Sequence, residues 1–394
     1  MIRAMTLIPL SPIDYVFTGR GAYPIEFVFA YDGTIDAGRL EESLRRSLAA
    51  FPPVGSRFVR LPDGGLAFDP YEGGCTFRVA QSETTYAETE RRTVFLDPVD
   101  GREGEPLGRV LLTRTPNGCV LGVSLSHAVA DGYSYFAFLS SWARLFRGEP
   151  FPPPSHARGA LVQAVDGSAS AAAAGEALGA GGLFRAGPRP EVDRAHLRVL
   201  RHVLSRAELV AMHEEAQAGN PVRLSHNDTA AAWLWKKCLV EWADPDPALD
   251  TYLSCPVDFR RLHPAAGPAY FGNAVVLATA SIPRGELAEV PLGDLATRVR
   301  RAVDAVDEEA VRRSLLALER LRRTEGLGAM EECHVVHPRQ GLLLTNLSRL
   351  PVSEVAFDAG PPVAFDILTP GVRGAVALPE PGGGIDLRVF LPVA

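Results

Sequence analysis

The sequence has few of the features that mark a membrane protein, a disulfide-linked protein or a nucleic-acid-binding protein. Only two of its 40 basic residues are lysines, Lys236 and Lys237. The formal net charge is -7, so the chain lacks the excess of positive surface charge that is typical of nucleic-acid-binding proteins. No apolar run reaches the roughly 18 residues that a membrane helix needs. Five widely spaced cysteines form no zinc or redox motif, which indicates a reducing compartment. We therefore expect a cytoplasmic protein with neither a membrane nor a nucleic-acid partner.

Apolar residues, by contrast, are abundant. Of the 394 residues, 46% are hydrophobic, which is enough for packed cores, and the length predicts two domains at about 100–200 residues each. The segment before residue 10 is short and soon broken by proline, unlike the core of a signal peptide. The excess of arginine over lysine, with many alanines, glycines and prolines, reflects the codon usage of GC-rich genomes and favours a bacterial source.

The first part of the chain alternates strand-like and helix-like segments. Residues 23–31 are rich in β-forming side chains, and Gly118–Ser126 has the composition of a buried strand. Directly after this strand comes one apolar helical stripe, made of Tyr135, Phe138, Leu139, Trp142, Leu145 and Phe146. Between residues 150 and 190, proline, alanine, glycine and serine replace large apolar residues, a composition typical of a linker. We predict an N-terminal domain at 1–165, a crossover linker at 166–192 and a C-terminal domain at 193–394.

The second part again mixes strands and helices. Asn227 or Asp228 is predicted to cap a helix that carries the apolar residues Ala231, Leu234, Trp235, Cys238, Leu239 and Trp242. The spacing of leucine and valine predicts one long amphipathic helical region over residues 292–323. Strands are predicted at 270–278, 342–347, 363–367, 375–378 and 385–391. Both halves therefore indicate a mixed α/β fold.

The segment SHAVADG, residues 126–132, is the densest candidate for catalytic chemistry. His127 follows the end of a predicted buried strand, and Asp131 lies four residues later, beside Gly132 and a new helix. Imidazole is the side chain best suited to take up and return a proton near neutral pH. The spacing alone leaves a structural alternative open, since Asp131 has the position of a helix N-cap and a single histidine at a strand end is more often structural.

Further segments occur in the order of one known family. The run LGVSLSHAVADGYSYFAFLSSWARLFRG resembles the HxxxDG segment of the BAHD acyltransferases, which share a CoA-dependent superfamily with condensation domains and chloramphenicol acetyltransferase. LIPLSPIDYVF resembles the opening strand and turn of that family, and FPPVGSRF resembles its Pro-Gly-Arg turn. Later segments that resemble family motifs are SHNDTAAAWLWKKC, PVDFRRL, YFGNAVV, TNLSRLPVSEVAFDAGPP and AVALPEPGGGIDLRVF. The resemblance spans nearly the whole chain.

The resemblance implies two chloramphenicol-acetyltransferase-like domains of mixed α/β structure with a solvent channel between them. Acyl-CoA, or an acyl-carrier protein in its place, enters from one side, and a small-molecule acceptor of specialised metabolism enters from the other. His127 would be the general base that deprotonates an acceptor hydroxyl or amine, and it would return the proton to the leaving thiolate without a covalent intermediate. Asp131 would be structural and paired with an arginine, for which Arg260 is the first candidate and Arg261 the second.

Other site residues follow from the same resemblance. The Thr345 hydroxyl would help to hold the tetrahedral oxyanion, and Asn346 is a second candidate donor. Gly132 would leave space for the pantetheine arm of the donor, and Ser225 matches a position near the cofactor. The family implies no metal and no permanently bound cofactor, because acyl-CoA is a co-substrate, and we expect a monomer.

The chain departs from the family pattern at two places. The DFGWG loop is replaced by Ala-Phe-Asp-Ala-Gly at residues 356–360, which removes an aspartate and its structural ion pair; Asp358 and Asp366 are nearby candidates for that role. The tryptophan of the Thr345 strand is replaced by Leu347, which predicts a wider and less aromatic acceptor pocket. These changes suit a divergent bacterial member better than a plant-type substrate class.

Other groups of residues in the sequence support weaker functional hypotheses. Cys333, His334 and His337 lie close in sequence, but a metal site needs three or four converging ligands, and a solvated loop is the simpler interpretation. The segment GVSLS before His127 does not match the GxSxG motif of serine hydrolases. The functional alternatives are carrier-protein-dependent condensation, a cyclisation or elimination with His127 as base, and a non-catalytic binding module.

Overall fold

The structure of the protein, a computed structural model, describes residues 6–162, 178–179, 182–189, 197–242, 245–369, 373–380 and 382–392. Most of the crossover linker predicted at 166–192 lies outside the described residues. The described part contains eight α-helices and sixteen strands, and most of the strands belong to two large sheets. None of the described helices combines the length and the apolar character needed to cross a bilayer.

The first large sheet is completed by a strand from the C-terminal half of the chain. Across the sheet its strands are β14 (Ala364–Ile367), β2 (Pro24–Tyr31), β7 (Gly118–Ser126), β6 (Gly108–Thr115) and β5 (Cys75–Gln81). β14 runs antiparallel to β2, and the other four strands come from the first 126 residues. The central strand β7 is buried from its second residue onward, which fits its nearly continuous apolar sequence.

The second large sheet has six strands. Across the sheet they are β11 (Val275–Pro283), β10 (Asp250–Asp258), β13 (Gly341–Asn346), β15 (Gly374–Glu380), β16 (Gly384–Pro392) and β9 (Leu197–Leu204). β13 is parallel to both of its neighbours. The strands predicted at 342–347, 363–367, 375–378 and 385–391 correspond to β13, β14, β15 and β16.

Smaller elements and the helices surround these sheets. A three-stranded sheet contains β1 (Ile8–Pro9), β4 (Leu66–Pro70) and β3 (Ser56–Arg60), and β8 (Phe184–Arg185) pairs with β12 (Cys333–His334). The helices are α1 (Ala37–Ser47), α2 (Gly132–Phe146), α3 (Arg206–Gln217), α4 (His226–Trp242), α5 (Arg284–Leu287), α6 (Leu292–Asp304), α7 (Glu308–Glu325) and α8 (Leu327–Glu331).

Two large hydrophobic cores and a smaller cluster around Phe95 lie within the described part of the chain. One core includes residues of both halves, from Leu10 to Phe390. It contains the predicted apolar stripe of α2 except Leu145, and Tyr135, Phe138 and Trp142 of that stripe are fully buried. The other core is confined to residues 204–391 and lies between α4, α6 and the second large sheet. Because the first core draws on both halves of the chain, the two halves are joined by a shared apolar interior.

Two helix predictions were wrong because local side-chain hydrogen bonds define the helix ends. The helical region predicted at 292–323 is divided into α6 and α7, since Asp307 is extended and its carboxylate accepts a hydrogen bond from the Ala310 amide at 2.7 Å. The cap of α4 is Ser225 rather than Asn227 or Asp228. The Asp228 amide donates to Ser225 Oγ at 3.2 Å, and the Asp228 carboxylate accepts from the Ser225 amide at 2.8 Å, so the two residues form a reciprocal cap.

The strand predicted at 270–278 begins later, at Val275. The preceding backbone makes hydrogen bonds to side chains of α2 instead of to a neighbouring strand: the Gly272 amide donates to Ser134 Oγ at 3.0 Å, and the Ala274 amide donates to Asp131 Oδ2 at 2.9 Å. The loop over residues 270–274 is thereby held against the start of α2, where the candidate catalytic segment lies.

Candidate active site

His127 and Asp131 lie on the turn that joins the central strand β7 to α2. The Val129 amide donates to the carbonyl of Ser126 at 2.9 Å, which closes the turn. Asp131 Oδ1 accepts a hydrogen bond from the Ser134 amide at 2.8 Å, so Asp131 is the N-cap of α2. The strand and the capped helix fix the backbone on both sides of His127.

The His127 imidazole lies in an aromatic environment. It stacks on the Phe17 ring at 3.8 Å between ring centroids, and the Tyr23 ring meets it edge-on at 5.5 Å. Burial lowers the pKa of His127 from its ordinary value of 6.5, although the Asp131 carboxylate and a hydrogen bond to Asn273 Oδ1 act in the opposite direction. The lowered pKa favours the uncharged ring, which is the form that can accept a proton.

Asn273 determines which nitrogen of His127 accepts that proton. The Asn273 amide nitrogen donates to Asp14 Oδ1 and to the carbonyl of His127, both at 2.8 Å. Its Oδ1 is the acceptor that remains, and it lies 3.2 Å from His127 Nδ1. Nδ1 must then carry the hydrogen, so Nε2 holds the free lone pair. Sequence reasoning assigned no role to Asn273 or Asp14, although both lie in the segments YFGNAVV and LIPLSPIDYVF.

Asp14 also belongs to a buried ion pair. Its Oδ2 accepts hydrogen bonds from the Ser11 amide at 2.8 Å and from Arg158, and the side chains of Asp14 and Arg158 are both fully buried. Arg158 donates as well to the carbonyls of Ala128 and Val129, which lie in the turn after His127. This pair joins the N-terminal segment to the turn between β7 and α2. Nothing in the sequence pattern pointed to Arg158, which lies just before the predicted linker.

Asp131 is occupied by contacts other than His127. Its Oδ2 lies 2.9 Å from Arg260 Nη2, and both side chains are buried. Arg260 donates further to Ser134 Oγ at 2.8 Å and to the carbonyl of Gly272 at 3.0 Å. Arg260 is thus the arginine that meets Asp131, whereas Arg261 is exposed. The Asp131 carboxylate joins α2 to the loop over residues 270–274, and no hydrogen bond in the described structure connects it to His127.

Two cavities meet at His127. The larger lobe has a volume of about 210 Å³ and the smaller lobe of about 90 Å³. The residues that line both are Phe17, Tyr23, His127, Gly132, Val335, Leu343 and Thr345. A reactant entering from either lobe therefore reaches the same imidazole. A Cβ atom at Gly132 would lie 3.3 Å from Leu347 Cδ2, so the absence of a side chain there keeps the junction open.

The other predicted site residues are placed differently. Thr345 lines both lobes, but Asn346, the next residue of β13, lines neither; its amide nitrogen donates to Asn227 Oδ1 at 2.5 Å. Ser225 caps α4 and lies two residues before Asn227, the partner of Asn346. The two aspartates proposed for the missing ion pair have partners: Asp358 binds Arg39 at 2.7 Å, and Asp366 binds Arg388 and Arg92.

The Cys333, His334 and His337 segment is not arranged as a metal site. His334 Nε2 lies 2.8 Å from the carbonyl of Gly187, and His337 Nδ1 accepts a hydrogen bond from the Gln340 amide at 3.0 Å. In the part of the chain that the structure describes, no group of three or more histidine, cysteine, aspartate or glutamate side chains is placed to hold a metal ion.

Comparison with known proteins adds the family context. Residues 5–394 match a family model described as "Transferase family". The chain is 28% identical over 349 residues to a hydroxycinnamoyl-CoA:5-hydroxyanthranilate N-hydroxycinnamoyltransferase of Avena sativa, which covers 83% of this chain and 77% of that protein. It is 25% identical over 355 residues to a shikimate O-hydroxycinnamoyltransferase of Nicotiana tabacum, covering 84% of this chain and 78% of that protein.

The fold also resembles solved structures. The structure of F. sporotrichioides TRI101 complexed with coenzyme A and T-2 matches with a TM-score of 0.75 at 17% identity, covering 98% of this chain and 95% of that chain. Vinorine synthase matches with a TM-score of 0.73 at 19% identity, covering 100% and 91%. The condensation domain of the Monacolin K polyketide synthase MokA matches with a TM-score of 0.62 at 14% identity, covering 98% and 92%. The predicted fold class is confirmed.

Proposed function

The chain belongs to the Transferase family and is a CoA-dependent acyltransferase acting on small molecules, and we propose that His127 is its general base. The observation that carries this proposal is the position of His127 where the two lobes meet, with Nδ1 bonded to Asn273 and Nε2 left free. The proposed reaction moves an acyl group from acyl-CoA to a hydroxyl or amine of the acceptor.

The proposed reaction has two proton transfers and no acyl-enzyme. Nε2 of His127 takes the proton of the acceptor O–H or N–H while the acceptor oxygen or nitrogen attacks the thioester carbonyl. The tetrahedral intermediate then collapses, the carbon–sulfur bond breaks, and the same nitrogen returns the proton to the thiolate of CoA. Both substrates are bound at once, one in each lobe, so positioning replaces covalent catalysis.

Thr345 is the proposed donor to the oxyanion. Its side chain lines both lobes beside His127, at the point where the carbonyl carbon would be attacked. Thr345→Val keeps the shape of the side chain and removes the hydroxyl, so we expect kcat to fall by about 100- to 1,000-fold. Asn346→Ala tests the second candidate donor. Because the Asn346 amide is engaged by Asn227 and Ser348, we expect a smaller loss.

Gly132 and Ser225 are the proposed contacts of the donor. The open space at Gly132 would admit the pantetheine arm to the junction. Ser225 lies directly before α4, whose Asn227 is bonded to Asn346, the residue after Thr345 on β13. The named relatives use hydroxycinnamoyl-CoA, which favours free acyl-CoA over an acyl-carrier protein and acyl transfer over cyclisation or elimination. We propose further that the enzyme is a cytoplasmic monomer of bacterial specialised metabolism.

The decisive experiment is mass spectrometry of the purified protein with a panel of acyl-CoA donors, including p-coumaroyl-CoA, and a panel of alcohols and amines. We expect acylated acceptor and free CoA in equal amounts. His127→Ala should reduce the rate by about 100- to 10,000-fold, whereas the matched control His202→Ala, on β9, should keep it. The general-base role is refuted if His127→Ala keeps near-wild-type turnover. A protein mass increased by one acyl group in the presence of donor alone would refute the direct mechanism.

A further inference from the structure

The larger lobe is an apolar cavity with basic side chains and no acidic one among its described lining residues. Among the described residues that line it, there is no aspartate or glutamate, while the basic side chains are His127, Arg189, His334 and Arg373. Most of the remaining wall is aliphatic or aromatic, with Ile25, Phe27, Val335, Leu347, Ile367 and Phe390 among its members. A cavity of this kind favours a ligand that combines a carbon skeleton with a negative charge.

Arg189 is the basic residue of this lobe that an anionic ligand would stabilise most. The residue is 8% exposed, and its guanidinium donates to the carbonyls of Val16 and Thr18, the latter at 2.8 Å. These contacts use two of its five N–H groups, and its buried Nε has no hydrogen-bond partner. Among the described residues, no carboxylate forms an ion pair with Arg189. Glu331 acts on Arg189 only from outside ion-pair distance. A buried guanidinium without a carboxylate in contact is costly, and an anionic ligand would offset that cost.

Tyr23 supplies a neutral donor in the same lobe. Its ring meets His127 edge-on, and no hydrogen bond from its hydroxyl to a described residue is present. Burial raises the pKa of Tyr23 to about 12, so the hydroxyl stays protonated at neutral pH and can donate a hydrogen bond. The lobe thus offers a guanidinium and a hydroxyl as donors in addition to the catalytic imidazole.

We propose that Arg189, with the Tyr23 hydroxyl, binds a carboxylate of the substrate held in the larger lobe, so that the enzyme selects acids over their neutral analogues. This inference rests on the proposed acyl transfer, because the lobe is identified as a substrate site through His127. The planar guanidinium matches the geometry of a carboxylate, and charge-assisted hydrogen bonds of this type are among the strong ones in proteins. The carboxylate belongs either to the acceptor or to the acyl group.

The experiment has one arm for each source of the carboxylate. In the acceptor arm, kcat/KM is measured with p-coumaroyl-CoA and either shikimate or 5-hydroxyanthranilate, each compared with its methyl ester. In the donor arm, succinyl-CoA is compared with butyryl-CoA on one neutral alcohol. We expect the acid to be preferred by about 10- to 100-fold in one arm. Arg189→Met should abolish this preference, because kcat/KM should fall further for the acid than for its neutral analogue.

Two further variants separate recognition from structure. Arg189→Lys should retain part of the preference for the acid, and Tyr23→Phe, which removes only the hydroxyl, should lower that preference severalfold without changing the urea midpoint. Arg20→Met is the matched control, because Arg20 is exposed and does not line the larger lobe. It should leave the selectivity unchanged.

Several outcomes would overturn the inference. Wild-type enzyme that shows no preference for an acid in either arm would do so, and the proposed acyl transfer would still stand. Equal losses for acid and neutral substrate in Arg189→Met would assign Arg189 a purely structural role. If no acyl transfer is detected, calorimetric titrations into wild type and Arg189→Met decide the inference separately. Shikimate is compared with methyl shikimate and succinyl-CoA with butyryl-CoA, and equal affinities within both pairs would refute the inference.

Discussion

The chemistry proposed for His127 depends on two properties of one imidazole, namely its charge and the position of its hydrogen. Burial between Phe17 and Tyr23 keeps the ring uncharged, and Asn273 places the hydrogen on Nδ1. Asn273 is itself oriented by Asp14, which is paired with Arg158. The nitrogen of His127 that is free to act as a base is therefore determined by a chain of buried polar groups, in which each group forms a hydrogen bond or an ion pair with the next.

The pH dependence of the reaction should reflect the lowered pKa of His127. A general base acts only when it is unprotonated, so kcat/KM should be constant around neutral pH and fall at acidic pH as the ring takes up a proton. Because burial lowers that pKa, the half-maximal value should lie below pH 6.5, the ordinary pKa of histidine. A pH–rate profile with a stable acyl-CoA measures it. An inflection above pH 6.5 in the free enzyme would contradict the burial argument.

Replacing Asn273 should weaken the base. In Asn273→Ala, His127 Nδ1 loses the acceptor that fixes its hydrogen and stabilises the charged ring. We expect kcat to fall by about 10- to 100-fold, in line with the loss of an orienting partner, with a smaller change in KM. The acidic limb of the profile should move to lower pH, since the lost hydrogen bond had raised the pKa of His127. An unshifted limb would show that Asn273 acts only through stability.

At the scale of elements, Asp131 joins three pieces of the chain. It caps α2, pairs with Arg260 just after β10, and accepts the Ala274 amide before β11. The family role implied for Asp131 and its position as a helix cap are thus compatible, because one carboxylate makes both sets of contacts. The loop that carries Asn273 is held in place by the same group.

Asp131→Ala should destabilise the protein strongly. Removing Asp131 leaves the buried Arg260 with the half-exposed Asp258 carboxylate, at 3.1 Å, as its remaining ion-pair partner. It also removes the acceptor of the Ser134 and Ala274 amides, and we expect the free energy of unfolding to fall by about 3 kcal/mol. Urea denaturation followed by circular dichroism measures the change. Asp358→Ala is the control, because its pair with Arg39 is partly exposed and should contribute less than about 1 kcal/mol. Equal effects of the two substitutions would be inconsistent with a structural role for Asp131.

The sequence is most informative where the relevant contacts are local. The strand β7, the helix α2 and the turn with His127 were predictable because hydrophobic period and capping residues lie within a short window. The polar partners of the site were not predictable in this way, since Asn273 is 146 residues from His127 in the sequence and Arg158 is 144 residues from Asp14. Arg189 lies within the predicted linker, where composition gave no reason to expect a cavity wall. Such pairs are created by the tertiary fold and leave no periodic pattern.

At the scale of the whole molecule, the two halves depend on each other. β14 of the C-terminal half completes the first large sheet, and the core that contains α2 includes residues up to Phe390. Asp366 on β14 is also bonded to Arg388 of the second large sheet and to Arg92 of the N-terminal half. The two sheets are thus linked through backbone, apolar and ionic contacts.

A fragment of residues 1–165 should therefore not fold alone. It lacks the strand that covers β2 and part of its own core, so we expect weak near-ultraviolet circular dichroism, binding of a hydrophobic dye, and no cooperative urea transition. Full-length protein should instead show one cooperative transition. The expectation fails if the purified fragment has a sharp transition and a native-like near-ultraviolet spectrum.

The position of β14 has a consequence for synthesis on the ribosome. The segment that forms β2 emerges early, but its outer neighbour is complete only when residue 367 has been translated. From residue 126 onward, at about 5–20 residues per second, the nascent chain therefore spends roughly ten to fifty seconds with an apolar strand edge uncovered. Unpaired edges of this kind recruit other chains. The yield of folded protein in a heterologous host should consequently depend on ribosome-associated chaperones and on slow expression at low temperature more than on the stability of the folded enzyme.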